Sequence, residues 1–435
     1  MDPTMIAIIG CVFLIILLIV GIPIAFSLIA VGLFGLMAMM GVEKTMSLFM
    51  TVPYSQAASY SLTPLPLFVI MAGLAFAGGM TTGLYDAAKK WVGRLPGALG
   101  VATTLACTVF GTLSGSALVV AAMFTKISVP EMLKSGYDRS FAHGLTAASA
   151  VIGMLIPPSM VAIMYGALTN ESIGKILMAG VGVGLSTTVA FSILIIIMAK
   201  RNPKIAPLLR ETYSLKEKFT SLKSIVGLVV VAGVMLVGIF VGWFTVTEGA
   251  AVGVGGMLVV DAIMRKLNWK MIKWVSLDAA KTTGMVFMLL IGAAFFSRFL
   301  SISGLGNSFV TLFTESGLPE SGVLAGFLVI FLVLGCFLDP MSELCIMLPL
   351  MQPVVKSFGW DPIYFAMLVL YTVHIGTITP PVGLVLFATQ SSSTDPTLNF
   401  SDIIRGVIPF VVVMVILLMI FVFAPPLTVG LAAYM

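Results

Sequence analysis

The segment 153–159 reads GMLIPPS, and the segment 376–381 reads GTITPP. Each lies within an otherwise hydrophobic stretch, and two consecutive prolines remove two backbone donors and release carbonyl groups upstream, so each segment is predicted to break a helix. Gly153 and Gly376 are 223 residues apart, and so are Pro157 and Pro380. Two similar breaks at one spacing predict a chain built from a duplicated unit.

The spacing of 223 residues continues upstream of the breaks. The further residues that match at this spacing are Pro130, Gly136, Asp138 and Pro158, with the counterparts Pro353, Gly359, Asp361 and Pro381. Earlier pairs keep nearly the same spacing, namely Leu95-Pro96 with Leu318-Pro319, Gly73 with Gly292, and Gly32 with Gly253. We interpret the matched prolines and glycines as turn-formers that separate the same series of helices in both halves.

The composition places this chain in a membrane. Apolar residues make up 59% of it and charged residues 9%, and the mean hydropathy is +1.14, which excludes a soluble domain of this length. Lipid offers no partners to an open backbone, so the long apolar runs must be helices. The first run, Met5 to Val20, lacks a basic leader and a cleavage site, so we expect a retained helix. The sequence therefore predicts an all-α integral membrane protein.

A glycine- and serine-rich turn divides the apolar stretch from Pro96 to Lys126, where residues 111–116 read GTLSGS. Each arm has about fourteen residues and rises roughly 21 Å, less than the roughly 30 Å hydrocarbon core, so a re-entrant hairpin is predicted. The predicted boundaries are 1–199 for a first repeat, with a hairpin at about 97–127 and a broken helix at about 139–169, then 200–224 for a basic linker, and 225–435 for a second repeat, with a hairpin at about 321–350 and a broken helix at about 361–390.

The distribution of basic residues indicates that the two repeats have inverted topology. Short cytoplasmic loops collect Lys and Arg, and the linker 200–224 holds seven of the 23 basic residues, so we place it in the cytoplasm. Lys89, Lys90 and Arg94 in the first half correspond to a second-half loop, Leu305 to Glu320, that has acids and no base. This orientation predicts that both termini are periplasmic.

Broken helices at membrane depth predict binding sites. Irregular backbone is tolerated there only where it lines a cavity or is buried in protein, and in inverted-repeat transporters half-helix N-termini face anionic groups while carbonyls and hydroxyls coordinate a cation. We predict a first sodium site from Ser114, Gly115, Ser116, Gly153, Ile156 and Pro157. We predict a second from Gly335, Asp339, Gly376, Thr377 and Thr379. The candidate substrate-binding residues are Ser116, Pro158, Ser159, Arg298, Asp339 and Pro381. Alternatively, the glycines and prolines only kink helices so that neighbours can pack.

Ionisable residues in apolar stretches are costly and usually functional. Asp339, at a hairpin turn, is predicted to be a cation ligand or a gate. Arg298 and Glu343 either contact substrate or form a buried ion pair or lie at the interface, and Glu248 is either functional or a helix-start cap. The basic segment from Arg265 to Lys281 is predicted to be an interfacial helix.

Together these features resemble the large membrane subunit of tripartite ATP-independent periplasmic (TRAP) transporters, over nearly the whole chain. The motifs that carry the resemblance are LSGSA at 113–117, VPEM at 129–132, GYD at 136–138, LIPPS at 155–159, TEGAAVG at 247–253, GWDP at 359–362 and TPPVG at 379–383. One departure is the segment 341–343, where the second hairpin lacks the Ser-Gly-Ser of the first.

The resemblance implies a sodium-coupled elevator importer of the ion-transporter-superfamily type, in a bacterial inner membrane. It implies two partners, a small four-helix membrane subunit and a soluble periplasmic binding protein that delivers a sialic acid or a C4-dicarboxylate. Because the sequence starts at the first helix of the large subunit, we expect the small subunit to be a separate chain. Besides lipids and the substrate we expect no nucleic acid and no cofactor, only sodium as the coupling ion.

Two other functions fit parts of the sequence. A stand-alone sodium- or proton-coupled anion symporter would share the inverted-repeat plan. An intramembrane aspartyl protease would need a pair such as Asp138 and Asp339, but Asp339 has no Gly-x-Gly-Asp context and our topology places Asp138 in a cytoplasmic loop. Zinc-protease and serine-hydrolase motifs are also missing, so we expect no enzymatic activity.

Overall fold

The computed structural model describes residues 2–208, 213–223, 225–315 and 317–434, with Tyr434 as backbone only, and over these ranges the chain is helical without strands. The α-helices are α1 Pro3–Ile19, α2 Ile24–Met40, α3 Val42–Ala57, α4 Pro64–Ala77, α5 Met80–Val92, α6 Ala98–Ser114, α7 Ala117–Lys134, α8 Arg139–Ile152, α9 Met160–Thr169, α10 Ile173–Arg201, α11 Leu215–Leu222, α12 Val226–Phe240, α13 Val246–Ile263, α14 Trp269–Ser303, α15 Leu305–Glu315, α16 Glu320–Gly335, α17 Pro340–Phe358, α18 Pro362–Thr377, α19 Leu384–Ser392, α20 Phe400–Phe423 and α21 Pro426–Val429. Parts of the predicted linker, residues 209–212 with Arg210 and residue 224, lie outside the described residues.

The two halves contain the same run of helices, with α6 to α10 in the first and α16 to α20 in the second. The same chemistry joins α7 to α8 and α17 to α18. Gly136 and Gly359 adopt left-handed backbone angles, with φ of 81° and 67°. Asp138 then caps α8 by accepting the Phe141 amide at 2.9 Å, as Asp361 caps α18 by accepting the Tyr364 amide at 2.7 Å. In both halves, therefore, a glycine ends one helix and an aspartate two residues later caps the next, and the two pairs are 223 residues apart.

The matched prolines Pro130 and Pro353 are not turn-formers, contrary to the interpretation of the sequence. Both lie inside helices, and α7 and α17 continue to Lys134 and Phe358, beyond the predicted hairpin ends at about 127 and 350. A proline removes one helical hydrogen bond, which a packed helix in a membrane protein tolerates, whereas the left-handed glycine that follows stops the helix. Helix α10 likewise ends at Arg201, inside the predicted linker.

Several helices suit a bilayer by length and composition. Within the described ranges five helical stretches are long and apolar enough to cross a membrane, or six if the bent pair α11 and α12 counts as one span. The five are Tyr60–Ala77, Ile173–Arg201, Val246–Ile263, Trp269–Ser303 and Phe400–Phe423. Large apolar side chains such as Ile15, Ile193 and Val230 are exposed on their helices, as expected for surfaces that face lipid.

The two halves interlock in two bundles. In one, α2 of the first half packs along α14 of the second, where a Cβ on Gly32 would lie 2.7 Å from the carbonyl carbon of Phe295. In the other, α8 of the first half packs along α20 of the second, where a Cβ on Gly144 would lie 2.1 Å from the carbonyl carbon of Gly406. Small residues at these crossings let backbones approach closely, as in other membrane helix pairs. Helices α1–α4 and α12–α14 form the first bundle, and α6–α10 with α16–α20 form the second.

Candidate functional site

In each half a glycine crossing holds the hairpin against the broken helix. A Cβ on Gly111 of α6 would lie 2.6 Å from the Cα of Gly153, where α8 ends. In the second half a Cβ on Gly376 would lie 2.7 Å from the Cα of Gly335. Real Cβ atoms do not approach backbone so closely, so only glycine allows this packing. The crossings bring each hairpin tip beside its helix break.

The first hairpin tip is a short turn between α6 and α7. Ser114 ends α6, Gly115 has a left-handed φ of 59°, and Ser116 precedes α7 in an extended conformation. The Ser116 amide donates to the Ser114 hydroxyl at 3.3 Å, and the Ala117 amide lies 2.9 Å from the Met154 sulfur. No side chain caps α7, so the positive end of its dipole remains available to an anion.

The first break is closed off from solvent. All of the residues 153–159 are buried. The Ser159 hydroxyl accepts the Ala162 amide at 3.2 Å and so serves as the N-cap of α9. The Leu155 carbonyl packs on α10, where a Cβ on Gly180 would lie 2.1 Å from its oxygen. The first break therefore packs behind the hairpin tip and leaves little polar surface free to bind a ligand.

The second break is tied to its hairpin through the backbone. The Gly383 amide donates to the Cys336 carbonyl at 3.0 Å, which joins the start of α19 to the turn between α16 and α17. Asp339 is the N-cap of α17 and accepts the Ser342 amide at 3.1 Å, together with the Ser342 hydroxyl. The Thr379 hydroxyl donates to the Ile375 carbonyl at 2.7 Å, which leaves its oxygen lone pairs able to accept.

Both hairpin tips open into one cavity of about 760 Å³, whose opposite wall comes from α4, α14 and the turn before α2. Its polar lining residues are Ser114, Ser116, Asp278, Thr282, Asp339, Ser342 and Thr377. Aromatic and methionine side chains, such as Phe76, Trp274 and Met285, form much of the rest. Among the described lining residues there are two carboxylates and no lysine or arginine.

A second cavity, of about 580 Å³, contains the basic groups. Arg298 and Lys356 line it, with Gln56, Asn170, Asn307 and Gln352, and its described lining has no acid. Helix α14 passes between the two cavities, because its first half lines the first cavity and its second half lines the second. The two cavities at opposite ends of α14 therefore carry opposite charge, acidic in the first cavity and basic in the second.

The predicted substrate residues do not form one group. Ser116 and Asp339 line the first cavity, whereas Pro158 and Ser159 are buried behind the hairpin tip. Pro381 is exposed and is not part of the first cavity lining, and Arg298 lies in the second cavity.

The predicted sodium residues all lie at the two hairpin tips, the glycine crossings and the helix breaks. Ser114, Gly115, Ser116, Asp339 and Thr377 line the first cavity. Gly153, Gly335 and Gly376 lie at the crossings, Ile156 and Pro157 are buried, and Thr379 is half-buried.

The structure also settles where several ionisable residues lie. Glu248 closes a capping box with Thr245, whose amide donates to the Glu248 carboxylate at 2.8 Å, so it is a helix-start cap. Glu343 is fully buried, and no ion pair joins it to Arg298 among the described residues. The predicted interfacial helix is the beginning of α14, which runs for 35 residues without interruption. Asp278 lies in this segment and lines the first cavity. It was not among the predicted site residues, because the segment was predicted to lie on the membrane surface.

Comparisons with known proteins agree on one family. The family model "Tripartite ATP-independent periplasmic transporter, DctM component" matches residues 11–427. The C4-dicarboxylate TRAP transporter large permease protein DctM of Pseudomonas aeruginosa is 31% identical over 379 residues, 87% of each chain. The 2,3-diketo-L-gulonate TRAP transporter large permease protein YiaN of Escherichia coli is 31% identical over 411 residues, 94% of each chain.

Two further similarities extend the comparison. The sialic acid TRAP transporter large permease protein SiaM of Vibrio cholerae is 29% identical over 421 residues, 95% of each chain. Among solved structures, the YdaH transporter of Alcanivorax borkumensis, described as having an unusual topology, superposes with a TM-score of 0.61 at 12% identity. That match covers 100% of this chain and 98% of the other, and it shows the shared fold.

Proposed function

Since this chain belongs to the DctM family of TRAP transporter large permeases, multi-pass proteins of the inner membrane that are not enzymes, we propose that it imports a small organic acid with sodium as the coupling ion. The substrates named for its relatives differ, and they include C4-dicarboxylate, 2,3-diketo-L-gulonate and sialic acid. We take a carboxylate as the feature common to these three.

One observation supports sodium coupling most directly, the charge of the first cavity. An organic anion there meets Asp278 and Asp339 and no basic side chain among the described lining residues. The uncapped N-terminal end of α7 offers it positive potential, but a helix dipole amounts to only about half a charge, and the N-terminal end of α17 is already capped by the Asp339 carboxylate. Bound cations beside the hairpin tips would supply the missing positive charge. Anion binding and cation binding are then linked, which is what a symporter requires.

The candidate ligands suit a hard cation. The first tip offers the hydroxyls of Ser114 and Ser116, and the second break offers the hydroxyls of Thr377 and Thr379. Hard cations prefer oxygen ligands of this kind. The sodium and substrate sites proposed here are the predicted sets, with Ser116 and Asp339 as the substrate candidates that line the cavity.

We infer an elevator motion from the two bundles. The bundle of α6–α10 and α16–α20 carries both tips, and α14 of the other bundle lines both cavities. Movement of the second bundle along α14 would carry the substrate from the second cavity to the first cavity. With the linker 200–224 in the cytoplasm and both termini in the periplasm, the first cavity faces inward. A small four-helix membrane subunit and a periplasmic binding protein complete the proposed transporter.

Uptake into proteoliposomes tests this proposal. The vesicles hold this chain with its small membrane subunit, and labelled succinate and labelled sialic acid are offered with and without a sodium gradient and a cognate binding protein. We expect uptake of one substrate that requires both the gradient and the binding protein. Uptake without a binding protein would indicate a stand-alone symporter, and uptake driven by a proton gradient alone would contradict sodium coupling.

A further inference from the structure

The geometry points to Glu343 as the anionic ligand of a cation held where α16 crosses the second break. The side chain is 0% exposed, and neither carboxylate oxygen has a hydrogen-bond partner among the described residues. Its Oε2 atom lies beside the glycine crossing, since a Cβ on Gly335 would be 3.1 Å from that oxygen and 3.1 Å from the Cα of Gly376. The carboxylate is therefore aimed into the second of the two predicted sodium sites.

Among the described residues no donor lies within hydrogen-bond reach of the Glu343 carboxylate, and a backbone acceptor lies near it. The Val373 carbonyl oxygen lies 3.2 Å from the same Cβ position on Gly335, so a carboxylate oxygen and a carbonyl oxygen both border the glycine crossing. Removing an ionised carboxylate from water without a partner costs roughly several kcal/mol of folding free energy, and repulsion from a neighbouring carbonyl oxygen adds to that cost. A cation between the oxygens changes the sign of both interactions. Oxygen ligands from a carboxylate and a backbone carbonyl are those that a hard cation prefers.

Other ionisable groups of this region do not pair with Glu343. Asp339 is occupied as the N-cap of α17, and Cys336, at the end of α16, has its thiol directed to the Leu332 carbonyl at 3.2 Å. His374 of α18 uses Nδ1 on the Leu370 carbonyl, and its Nε2 has no partner among the described residues. Asp339 was the predicted charged ligand of this site, but its carboxylate is engaged at the helix start. Glu343, one turn further on, is the free one.

The first half lacks this charge. Helix α7 starts at Ala117 and α17 at Pro340, so the position equivalent to Glu343 is Val120, which is also fully buried. The first site consequently offers only neutral oxygen ligands from serine hydroxyls and backbone, whereas the second carries a fixed negative charge. We therefore expect the second site to bind the cation more tightly, and its occupancy to compensate the buried charge.

This inference rests on the proposed sodium coupling and is tested by sodium-dependent stability. Melting curves of the purified full-length protein with its small subunit are recorded in choline chloride and in rising sodium chloride at constant ionic strength. Binding to the native state raises the melting temperature with sodium concentration. Glu343→Gln keeps the side-chain volume and removes the charge. We expect this variant to melt no lower than wild type in choline, and its half-saturating sodium concentration to rise at least about tenfold.

Controls separate this inference from the proposed function. Glu43→Gln makes the same chemical change at an exposed position of α3 and should titrate like wild type. Equal sodium stabilisation of wild type and Glu343→Gln would overturn the role of Glu343 and leave sodium coupling intact. Sodium stabilisation of neither protein would overturn both. If Glu343→Gln does not fold, Glu343→Asp keeps the charge on a shorter side chain, and an unchanged sodium titration in that variant would also overturn the inference.

Discussion

Arg139 Nε lies 3.0 Å from Asp395 Oδ2, and this ion pair joins the start of the first broken helix to the loop before α20. The same arginine donates to the Thr397 carbonyl at 3.0 Å. His143, one turn along α8, lies 2.9 Å from the Ser393 hydroxyl through its Nε2. Residues from the two halves of the chain therefore hold the second bundle together outside its apolar interior.

Asp395→Asn should weaken this connection in a pH-dependent way. Hydrogen bonds from the Thr397 hydroxyl and amide, with a smaller contribution from Arg139, hold the pKa of Asp395 below its usual value of 3.8. A lowered carboxylate pKa stabilises the folded state above the unfolded pKa, and the contribution is lost as the pH falls through the folded value. The difference in melting temperature from wild type should be constant from about pH 5 to 8, begin to shrink as the pH falls below about 4, and disappear only below the folded-state pKa.

The expected effect of Asp395→Asn is small, under about 1 kcal/mol, because the Arg139 side chain is 41% exposed and water screens the pair. Asp86→Asn, on an exposed face of α5, is the matched control and should not change the melting temperature. A difference that grows as the solution is acidified would contradict the assignment of the carboxylate as the stabilising form.

Gly335→Ala should disrupt the second glycine crossing. The added methyl group would lie 3.1 Å from both the Gly376 Cα and the Glu343 Oε2 atom, so the α18 backbone or the carboxylate has to shift, and overpacking typically costs about 1–3 kcal/mol. We expect a lower melting temperature and loss of uptake. Gly326→Ala lies on the same helix with nothing within 4 Å of the new methyl group, so it should be neutral or slightly stabilising. Equal behaviour of the two variants would show that the close crossing is not needed.

Two substitutions of Asp339 separate its charge from its cap. Asparagine remains a good N-cap, whereas alanine loses the cap at a cost of about 1 kcal/mol. If the charge facing the cavity matters, both variants lose uptake and only Asp339→Ala melts lower. Full uptake by Asp339→Asn would show that the Asp339 carboxylate is not a ligand in either of the proposed sites.

Ser116→Ala should abolish uptake without affecting membrane insertion, because the hydroxyl lines the cavity and does not cap α7. The measurement is uptake per amount of protein in the membrane fraction. Ser135→Ala, at the half-buried C-cap of the same helix and away from the cavity, is the control. Uptake by Ser116→Ala at the wild-type rate would exclude this hydroxyl from both proposed sites.

Arg298→Gln should raise the substrate concentration needed for half-maximal uptake by several-fold, since a charge interaction of about 1 kcal/mol corresponds to roughly a fivefold change in affinity. The reason is the second cavity, where Arg298 and Lys356 face no acid among the described lining residues and so attract an anion. The sodium dependence should not change, because the predicted sodium residues lie elsewhere. Lys44→Gln, exposed on α3, is the control, and a shifted sodium dependence in Arg298→Gln would contradict this separation.

The all-α membrane architecture could be predicted because it depends on local chemistry. Apolar runs must be helices in lipid, and the Gly-Asp pairs at 136–138 and 359–361 stop one helix and cap the next wherever they occur. Proline was less informative. Pro130 and Pro353 matched at the repeat spacing, but a single proline inside a packed helix does not end it, and local sequence does not show which prolines are packed.

Tertiary contacts explain what the sequence could not show. Asp278 reaches the cavity only because α14 of one bundle passes beside hairpin tips from the other, far away along the chain. Arg298 and Ser116 were predicted together as substrate-binding residues, yet the position of Arg298 along α14 puts it in a different cavity. The sequence also could not show whether Glu343 forms an ion pair, because that depends on side chains that are distant along the chain.

Helix α14 has a consequence for how the molecule insulates the membrane. Leu289 lines the first cavity and its neighbour Leu290 lines the second, so on this helix a single peptide unit separates the linings of the two cavities. Both side chains are nearly inaccessible, and the backbone contact between Gly32 and Phe295 closes α2 against α14 just beyond them. One residue rises about 1.5 Å along a helix, so α14 itself contributes little apolar length between the two linings, and a bundle that slides past it has to supply the rest of the seal against an ion leak.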